Sequence, residues 1–144
     1  MNDPARQLDL LLVEDNDDDV MLVREALAEA PRLRLVHVAP HGDAAIAWLR
    51  QQLAGGPAAL PHLVLLDLNM PRRNGFEVLA DLQADPRLAR VPVVVLTTSD
   101  RPEDIRRCRA LGARDYLRKP DSFDALQELC RRLEQEWLNA SSHA

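Results

Sequence analysis

The sequence predicts a doubly wound α/β domain built on a parallel sheet. Short apolar runs rich in valine and leucine recur along the chain, which is typical of strands covered on both faces. Between successive runs, apolar residues recur at the spacing of one face of a helix. The order is strand and then helix, five times over. Such a chain folds through right-handed crossovers into one sheet between two layers of helices.

Five segments are the predicted strands, and four of them are apolar with few interruptions. Arg34 and His37 interrupt the second segment, and the fifth segment is short. The predicted strands are residues 10–13, 33–38, 63–66, 93–96 and 114–118.

Apolar stripes mark the five predicted helices. Pro102 stands near the start of the fourth helix and Gly112 just past its end, which is typical of helix ends. Ser122 is the predicted cap of the fifth helix. The stripes consist of Val20, Val23, Leu27 and Ala30; Ile46, Leu49 and Leu53; Phe76, Leu79 and Leu82; Ile105, Cys108 and Leu111; and Leu126, Leu129, Leu133 and Trp137.

The length of 144 residues suits one domain, predicted at residues 8–138, followed by a frayed tail at 139–144. The predicted domain takes up nearly all of these residues, so no DNA-binding or enzymatic output domain is expected. The net charge of −5 argues against nucleic acid as a direct partner. No apolar run approaches the ~20 residues that span a bilayer, and no secretory signal follows Met1. A cytoplasmic protein without a membrane partner is therefore expected.

Acidic, hydroxyl and basic side chains follow the predicted strands. In an open parallel sheet, ligands bind outside the carboxyl ends of the strands, so these side chains should meet at one edge. Lys119 is the only lysine in a chain whose other basic residues are arginines. The residues are Glu14 and Asp15 after the first strand, Asp67 after the third, Thr97 and Thr98 after the fourth, and Lys119 and Pro120 after the fifth.

This set of groups matches the needs of phosphoryl transfer. Clustered carboxylates repel one another unless a cation joins them, and oxygen ligands suit Mg²⁺. The Lys119 ammonium supplies a positive charge for a phosphate oxygen, and a threonine hydroxyl supplies a further donor. Asp67 is the best candidate nucleophile, because it ends the predicted central strand and an aspartate can form an acyl phosphate.

Four motifs in the right order resemble the receiver domains of two-component response regulators, and the resemblance covers roughly residues 8–138. It implies a flavodoxin-like (βα)5 fold with strand order 2-1-3-4-5. The matching features are the acid pair Glu14-Asp15, the segment Asp67-Leu68-Asn69-Met70-Pro71 with Gly75 beyond it, the hydroxyl residue Thr97, the aromatic Tyr116, and the pair Lys119-Pro120.

The resemblance implies a role for each of these residues. A sensor histidine kinase donates phosphate to Asp67, and the protein catalyses only its own phosphorylation and dephosphorylation. Mg²⁺ is held by Asp15, Asp67 and the backbone carbonyl of Asn69, with Glu14 acting through water. The phosphoryl-binding and switch residues are Lys119, Tyr116 and either Thr97 or Thr98, of which the strand register favours Thr97. The Lys119–Pro120 peptide bond is expected to be cis.

Residues 11–16, 66–72 and 93–99 resemble in particular the single-domain regulators that are paired with phytochromes. This likeness implies a phytochrome as the partner kinase and a homodimer built on the fifth helix, predicted at residues 122–139. The end of that helix should project past the sheet, so that Trp137 and Leu138 form the dimer contact. The alternative is that Trp137 folds back onto its own domain, near Leu8 or Leu133.

Two other functions are compatible with parts of the pattern. A Mg²⁺-dependent phosphatase with an aspartyl nucleophile usually carries a second carboxylate two residues later, where this chain has Asn69. A pseudo-receiver that binds partners without phosphate would not need the complete set of chemical residues.

Several charged residues near the site are expected to have no chemical role. The run Asp17, Asp18 and Asp19 could supply extra metal ligands, but it is interpreted as first-turn acids that favour the helix dipole. Arg72 and Arg73 are expected to be solvated rather than catalytic, although a partner protein could contact them.

Overall fold

Five parallel strands form one sheet in the order β2-β1-β3-β4-β5, which confirms the predicted fold. The computed structural model describes residues 6–70 and 73–142, so Pro71 and Arg72 lie outside the described residues. The strands are β1 (Leu8–Val13), β2 (Leu33–Ala39), β3 (Leu63–Leu66), β4 (Val93–Thr97) and β5 (Asp115–Arg118). The helices are α1 (Asp17–Ala26), α2 (Gly42–Leu53), α3 (Gly75–Ala84), α4 (Pro102–Ala110) and α5 (Phe123–Ser142).

The sheet separates two buried layers. Because successive side chains of a strand point to opposite faces, neighbouring residues of β1 belong to different layers. Leu10 and Leu12 pack in the layer that contains α1 and α5. Leu11 and Val13 pack in the layer that contains α2, α3 and α4. Burial on both faces explains why the strands are continuous apolar runs rather than alternating ones.

Capping side chains place the beginning of most helices just beyond the carboxyl edge of the sheet. Asn16, Asn74 and Ser122 each accept a hydrogen bond from the backbone N–H three residues further on, at 2.9, 3.0 and 3.1 Å. His41 Nδ1 caps α2 in the same way. The predicted cap at Ser122 is therefore confirmed, and the loops that lead into these helices meet at one edge.

Helix α5 corrects the prediction for the end of the chain. It continues to Ser142, so residues 139–142 are helical rather than frayed, and residues 143–144 lie outside the described part. Leu138 is buried in the layer beneath α1 and α5, and Trp137 packs against that layer. Leu8 and Leu133 belong to the same layer, so Trp137 folds back onto its own domain, which was the stated alternative.

The Lys119–Pro120 bond is trans, since no peptide bond within residues 6–70 and 73–142 is cis. The expected cis isomer is thus wrong for this structure. Trans is the lower-energy isomer of an X–Pro bond by about 0.5–1 kcal/mol. With this bond trans, the Lys119 ammonium already reaches Glu14, so the ion pair does not require the cis form.

Two short 3₁₀ helices are present. Leu27–Glu29 follows α1 within the predicted first stripe, and Pro57–Ala59 lies in a connection where no helix was predicted. None of the described helices combines the length and the apolar character needed to cross a bilayer.

Candidate functional site

The site lies at the carboxyl edge of the sheet. The residue that follows each of β1, β3 and β5 still donates one backbone hydrogen bond to a neighbouring strand. Backbone N–H groups donate from Glu14 to Ala39, from Asp67 to Val13 and from Lys119 to Thr97, at 3.0, 3.1 and 2.7 Å. These bonds hold the first residue after β1, β3 and β5 in register with the sheet. The side chains that the sequence placed after separate strands therefore meet.

Three carboxylates form the centre of this site. Glu14, Asp15 and Asp67 each offer one oxygen, and these three oxygens lie within 4.8 Å of one another. Glu14 and Asp67 are buried, whereas Asp15 is exposed. A group of carboxylate oxygens with one open side is a suitable site for a hard divalent cation.

The Lys119 ammonium contacts three carboxylates of the described chain. Its Nζ is 2.5 Å from Glu14 Oε1, 2.9 Å from Asp19 Oδ2 and 3.7 Å from Asp67 Oδ2. Only 15% of the side chain is exposed. The contact with Asp67 was expected, but the contact with Asp19 was not.

Asp19 corrects the interpretation of the acidic run at the start of α1. Asp17 and Asp18 are exposed in the first turn, as expected for acids that favour the helix dipole. Asp19 is half-buried and accepts a hydrogen bond from Lys119. No local signal distinguishes Asp19 from its two neighbours, because its partner lies 100 residues away in the chain.

Burial sets the ionisation of the two paired groups. Loss of solvent raises the pKa of Glu14 to about 7; the Lys119 hydrogen bond opposes this shift and the nearby Asp67 charge adds to it. Burial also opposes the charged form of Lys119, but the hydrogen bonds to Glu14 and Asp19 outweigh it and raise the lysine pKa. One ammonium therefore stays charged among more carboxylates than it neutralises, and the remaining negative charge favours a bound cation.

Thr97 is the hydroxyl residue that belongs to the site. It is fully buried, and its Oγ1 accepts a hydrogen bond from Asn69 Nδ2 at 3.4 Å. The Asn69 backbone N–H donates to Asp67 Oδ1 at 3.3 Å. Thr98 is exposed. The structure thus links Thr97, Asn69 and Asp67, and leaves Thr98 outside this chain of contacts.

Residues 10–131 match the sequence model of the response regulator receiver domain. This chain belongs to the response regulator receiver domain family. The match and the geometry agree, because the matched residues contain the acid cluster, Asp67, Thr97 and Lys119.

Similar proteins cover most of the receiver domain. The probable methanogenesis regulatory protein FilR2 of Methanothrix harundinacea and the response regulator Rcp1 of Synechocystis are each 39% identical over 129 residues. These matches cover 90% of this chain, 83% of FilR2 and 88% of Rcp1.

Solved structures agree with this assignment. The phosphorylated cyanobacterial phytochrome response regulator RcpA is similar with a TM-score of 0.81 and 39% identity, over 93% of this chain and 96% of RcpA. The Mn²⁺-bound form of Rcp1 has a TM-score of 0.77 and 38% identity, over 91% of this chain and 94% of that one.

Tyr116 joins β5 of the receiver domain to the loop after β4. Its hydroxyl donates to the backbone carbonyl of Ser99 at 2.7 Å, and the ring is half-buried. The Ser99 hydroxyl donates to Asp104 at 2.7 Å, and Arg101 makes two further hydrogen bonds to the same carboxylate. These bonds hold the pKa of Asp104 below its ordinary value. Sequence reasoning missed this network because surface arginines and aspartates are common at helix starts.

Arg73 holds the loop between β3 and α3 from the outside. Its guanidinium pairs with Asp43 at the start of α2 at 2.7 Å and also with Asp81 of α3. Arg73 is therefore partly exposed but held by two ion pairs, which the sequence did not predict. Two helices and the loop that carries Asp67 and Asn69 are joined by this one arginine.

Proposed function

We propose that this receiver domain accepts a phosphoryl group on Asp67 from a sensor histidine kinase. The observation that carries the proposal is the set of charged groups around Asp67. A buried aspartate lies 3.7 Å from the ammonium of the only lysine and within 4.8 Å of two further carboxylates. This arrangement supplies a nucleophile, a cation for the phosphoryl oxygens and oxygen ligands for a metal.

The transfer step needs one oxygen of Asp67 and the phosphorus of a phosphohistidine. The oxygen–phosphorus bond forms as the phosphorus–nitrogen bond breaks, and the electron pair leaves with the imidazole. Lys119 then bonds one phosphoryl oxygen, and the Thr97 hydroxyl donates to another. Mg²⁺, held by Asp15, Asp67 and the Asn69 carbonyl with Glu14 through water, would neutralise charge on the phosphoryl group.

A divalent metal fits this site because its ligands are oxygens, and the Mn²⁺-bound form of the similar protein Rcp1 supports the same conclusion. Mg²⁺ is the favoured ion, because it is usually bound by one or two carboxylates together with a phosphate.

The two alternative functions are less well supported. A phosphatase of this type needs a proton-transfer group two residues after its nucleophile, and the Asn69 amide cannot serve as one. A pseudo-receiver would not need Asp15, Asp67, Thr97 and Lys119 to be present together at one edge of the sheet.

Signal output follows from movement of Thr97 and Tyr116. When Thr97 turns to the phosphoryl group, its bond with Asn69 is lost and the loop after β4 shifts with it. Tyr116 is bonded to that loop through Ser99, so the face formed by α4, β5 and α5 changes shape. The added charge of the phosphoryl group on Asp67 thus shifts the α4, β5 and α5 face from one packing arrangement to another.

A phytochrome is the proposed partner kinase, because RcpA is a cyanobacterial phytochrome response regulator. Phosphotransfer from a panel of purified histidine kinases, including a phytochrome, tests this choice. Preferential transfer from the phytochrome supports the proposal, and faster transfer from another kinase contradicts it.

Self-association through α5 stays a prediction. Leu138 is buried in its own domain, so of the two proposed contact residues only the half-buried Trp137 could take part in a dimer contact. Sedimentation of the wild type and Trp137→Ala, each with and without beryllofluoride, tests it. A monomer at high micromolar concentration in both states contradicts a dimer.

Labelling with acetyl phosphate tests the central proposal. Intact mass should show one added phosphoryl group on the wild type with Mg²⁺ and none with EDTA. Asp67→Asn should remain unlabelled under both conditions. Equal labelling of Asp67→Asn would rule out Asp67 as the acceptor.

A further inference from the structure

Asp19 is the member of the site whose role the proposed chemistry does not explain. It lies outside the group of carboxylates that could share a metal ion, which contains Glu14, Asp15 and Asp67. It nevertheless accepts a hydrogen bond from Lys119 at 2.9 Å, while Lys119 and Asp67 are 3.7 Å apart. The lysine is therefore bonded to Asp19 and not to the proposed phosphoacceptor.

We propose that Asp19 is a positioning residue that holds the Lys119 ammonium away from Asp67 until a phosphoryl group arrives. This inference rests on the proposed function, in which Lys119 must bond a phosphoryl oxygen on Asp67. An ammonium has three donors, and Glu14 and Asp19 occupy two of them in directions that leave Asp67 beyond hydrogen-bond distance. The third donor is left for a phosphoryl oxygen, and an ammonium that moves toward Asp67 to use it stretches or loses one of the two existing bonds.

The burial of the two partners decides which bond is lost. The Glu14 side chain is 3% exposed, so loss of its lysine would leave a buried carboxylate without its cation. The Asp19 side chain is 37% exposed, so water can replace the lysine there at low cost. The bond to Asp19 is thus the one that breaks, and the bond to Glu14 persists as the anchor.

Removal of the Asp19 charge should therefore release Lys119 toward Asp67 before phosphorylation. At saturating Mg²⁺, the initial rate of labelling by acetyl phosphate should rise about threefold in Asp19→Asn, as expected for loss of a partly exposed ion pair. The Mg²⁺ concentration for half-maximal rate should not change, because Asp19 is not among the metal ligands. Asp19→Glu should keep the wild-type rate.

Asp18→Asn is the matched control. It removes the same charge from the same turn of α1, but Asp18 is exposed and Lys119 does not contact it. Either substitution removes one negative charge and so weakens the repulsion between the site and the anionic acetyl phosphate to a similar extent. Only the loss of the lysine contact separates them.

The single lysine allows a direct measurement of the contact. Lysine-selective ¹⁵N labelling gives one side-chain Nζ signal, from Lys119. Asp19→Asn should move this signal, and Asp18→Asn should leave it in place.

A threefold faster rate and a moved Nζ signal, both in Asp19→Asn alone, support the inference. Equal rates in Asp19→Asn and Asp18→Asn, a slower rate in Asp19→Asn, or an unmoved signal overturns it while the proposed function stands. Failure to label even the wild type overturns the proposed function itself, so the two failures are distinguishable.

Discussion

At the scale of single residues, the adjacent acids Glu14 and Asp15 have different roles because one is buried and the other is exposed. Glu14 is buried against Lys119, whereas Asp15 is exposed at the open side of the carboxylate cluster. The first therefore fixes the lysine, and the second is free to bind a metal. The pair is adjacent in sequence, but its two members are not interchangeable.

Replacement of Lys119 by arginine tests the need for a compact ammonium. We expect Lys119→Arg to bind Mg²⁺ but to be labelled by acetyl phosphate about tenfold more slowly, because a wide planar guanidinium does not fit among these carboxylates. Arg118→Lys, an exchange at the exposed neighbouring position, is the control and should label normally. Wild-type labelling and switching in Lys119→Arg would contradict this requirement.

Asp104 should give the domain a pH-dependent stability. Its pKa is lowered from 3.8 by the hydrogen bonds from Arg101 and Ser99, so the folded state favours the carboxylate. This contribution is present above pH 3.8 and is lost as the pH falls through the lower folded value. At pH 7, Asp104→Asn should lower the midpoint of thermal unfolding by about 3 °C.

The Asp104→Asn difference should shrink as the pH falls below 3.8. Asp100→Asn, at an exposed position of the same loop, is the control and should show little change at any pH. Calorimetry across the pH range measures both variants. A difference that grows toward acid would contradict the assigned sign.

At the scale of elements, the loop between β3 and α3 is the segment that positions the nucleophile. The helix begins directly against this loop, and the Gly75 backbone N–H donates to Leu68 at 3.1 Å. Arg73 joins the loop to α2 and α3 from the other side. The position of Asp67 therefore depends on where α3 starts.

Gly75→Ala should disturb this position. A Cβ at Gly75 would lie 2.8 Å from the Asp67 carbonyl oxygen and 2.8 Å from Leu68 Cα, and these backbone atoms cannot move without the loop. We expect the free energy of unfolding to fall by about 1–3 kcal/mol and labelling of Asp67 to slow.

Gly55→Ala is the matched control for Gly75→Ala, because the nearest atom to its Cβ would be 3.4 Å away. Chemical denaturation and labelling kinetics measure the two variants side by side. Equal behaviour of the two alanines would show that α3 adjusts without moving Asp67.

At the scale of the whole molecule, the chemistry depends on a sheet that gathers the ends of β1, β3, β4 and β5. The residues after β1 and β3 bring three carboxylates into one small region, and folding must hold those charges together. Metal binding should relieve this repulsion in the folded state alone, because the cluster does not exist in the unfolded chain.

Mg²⁺ should therefore stabilise the whole domain. At a free Mg²⁺ concentration tenfold above its Kd, the free energy of unfolding should rise by about 1.4 kcal/mol. EDTA should reverse the effect, and Asp15→Asn should abolish it. Asp18→Asn should retain it, since Asp18 is exposed and outside the cluster. Thermal unfolding with and without Mg²⁺ measures the effect, and equal stabilisation of Asp15→Asn would contradict the site.

Periodicity in the sequence determined the fold, because strands buried on both faces and helices with one buried stripe leave different apolar patterns. The carboxyl ends of parallel strands always meet, so the positions of Glu14, Asp15, Asp67, Thr97 and Lys119 along the chain were enough to predict one site. Neither inference needed a distance between particular atoms.

Tertiary structure alone decided which of these groups touch. Asp19 was separated from Asp18 only by its contact with Lys119, 100 residues away. Leu138 is a core residue that shares a buried layer with Leu8, 130 residues earlier in the chain. Arg73 found partners on α2 and α3. Local sequence carries no record of such pairs, since a salt bridge or a buried contact depends on the distance between segments that only the folded chain brings together.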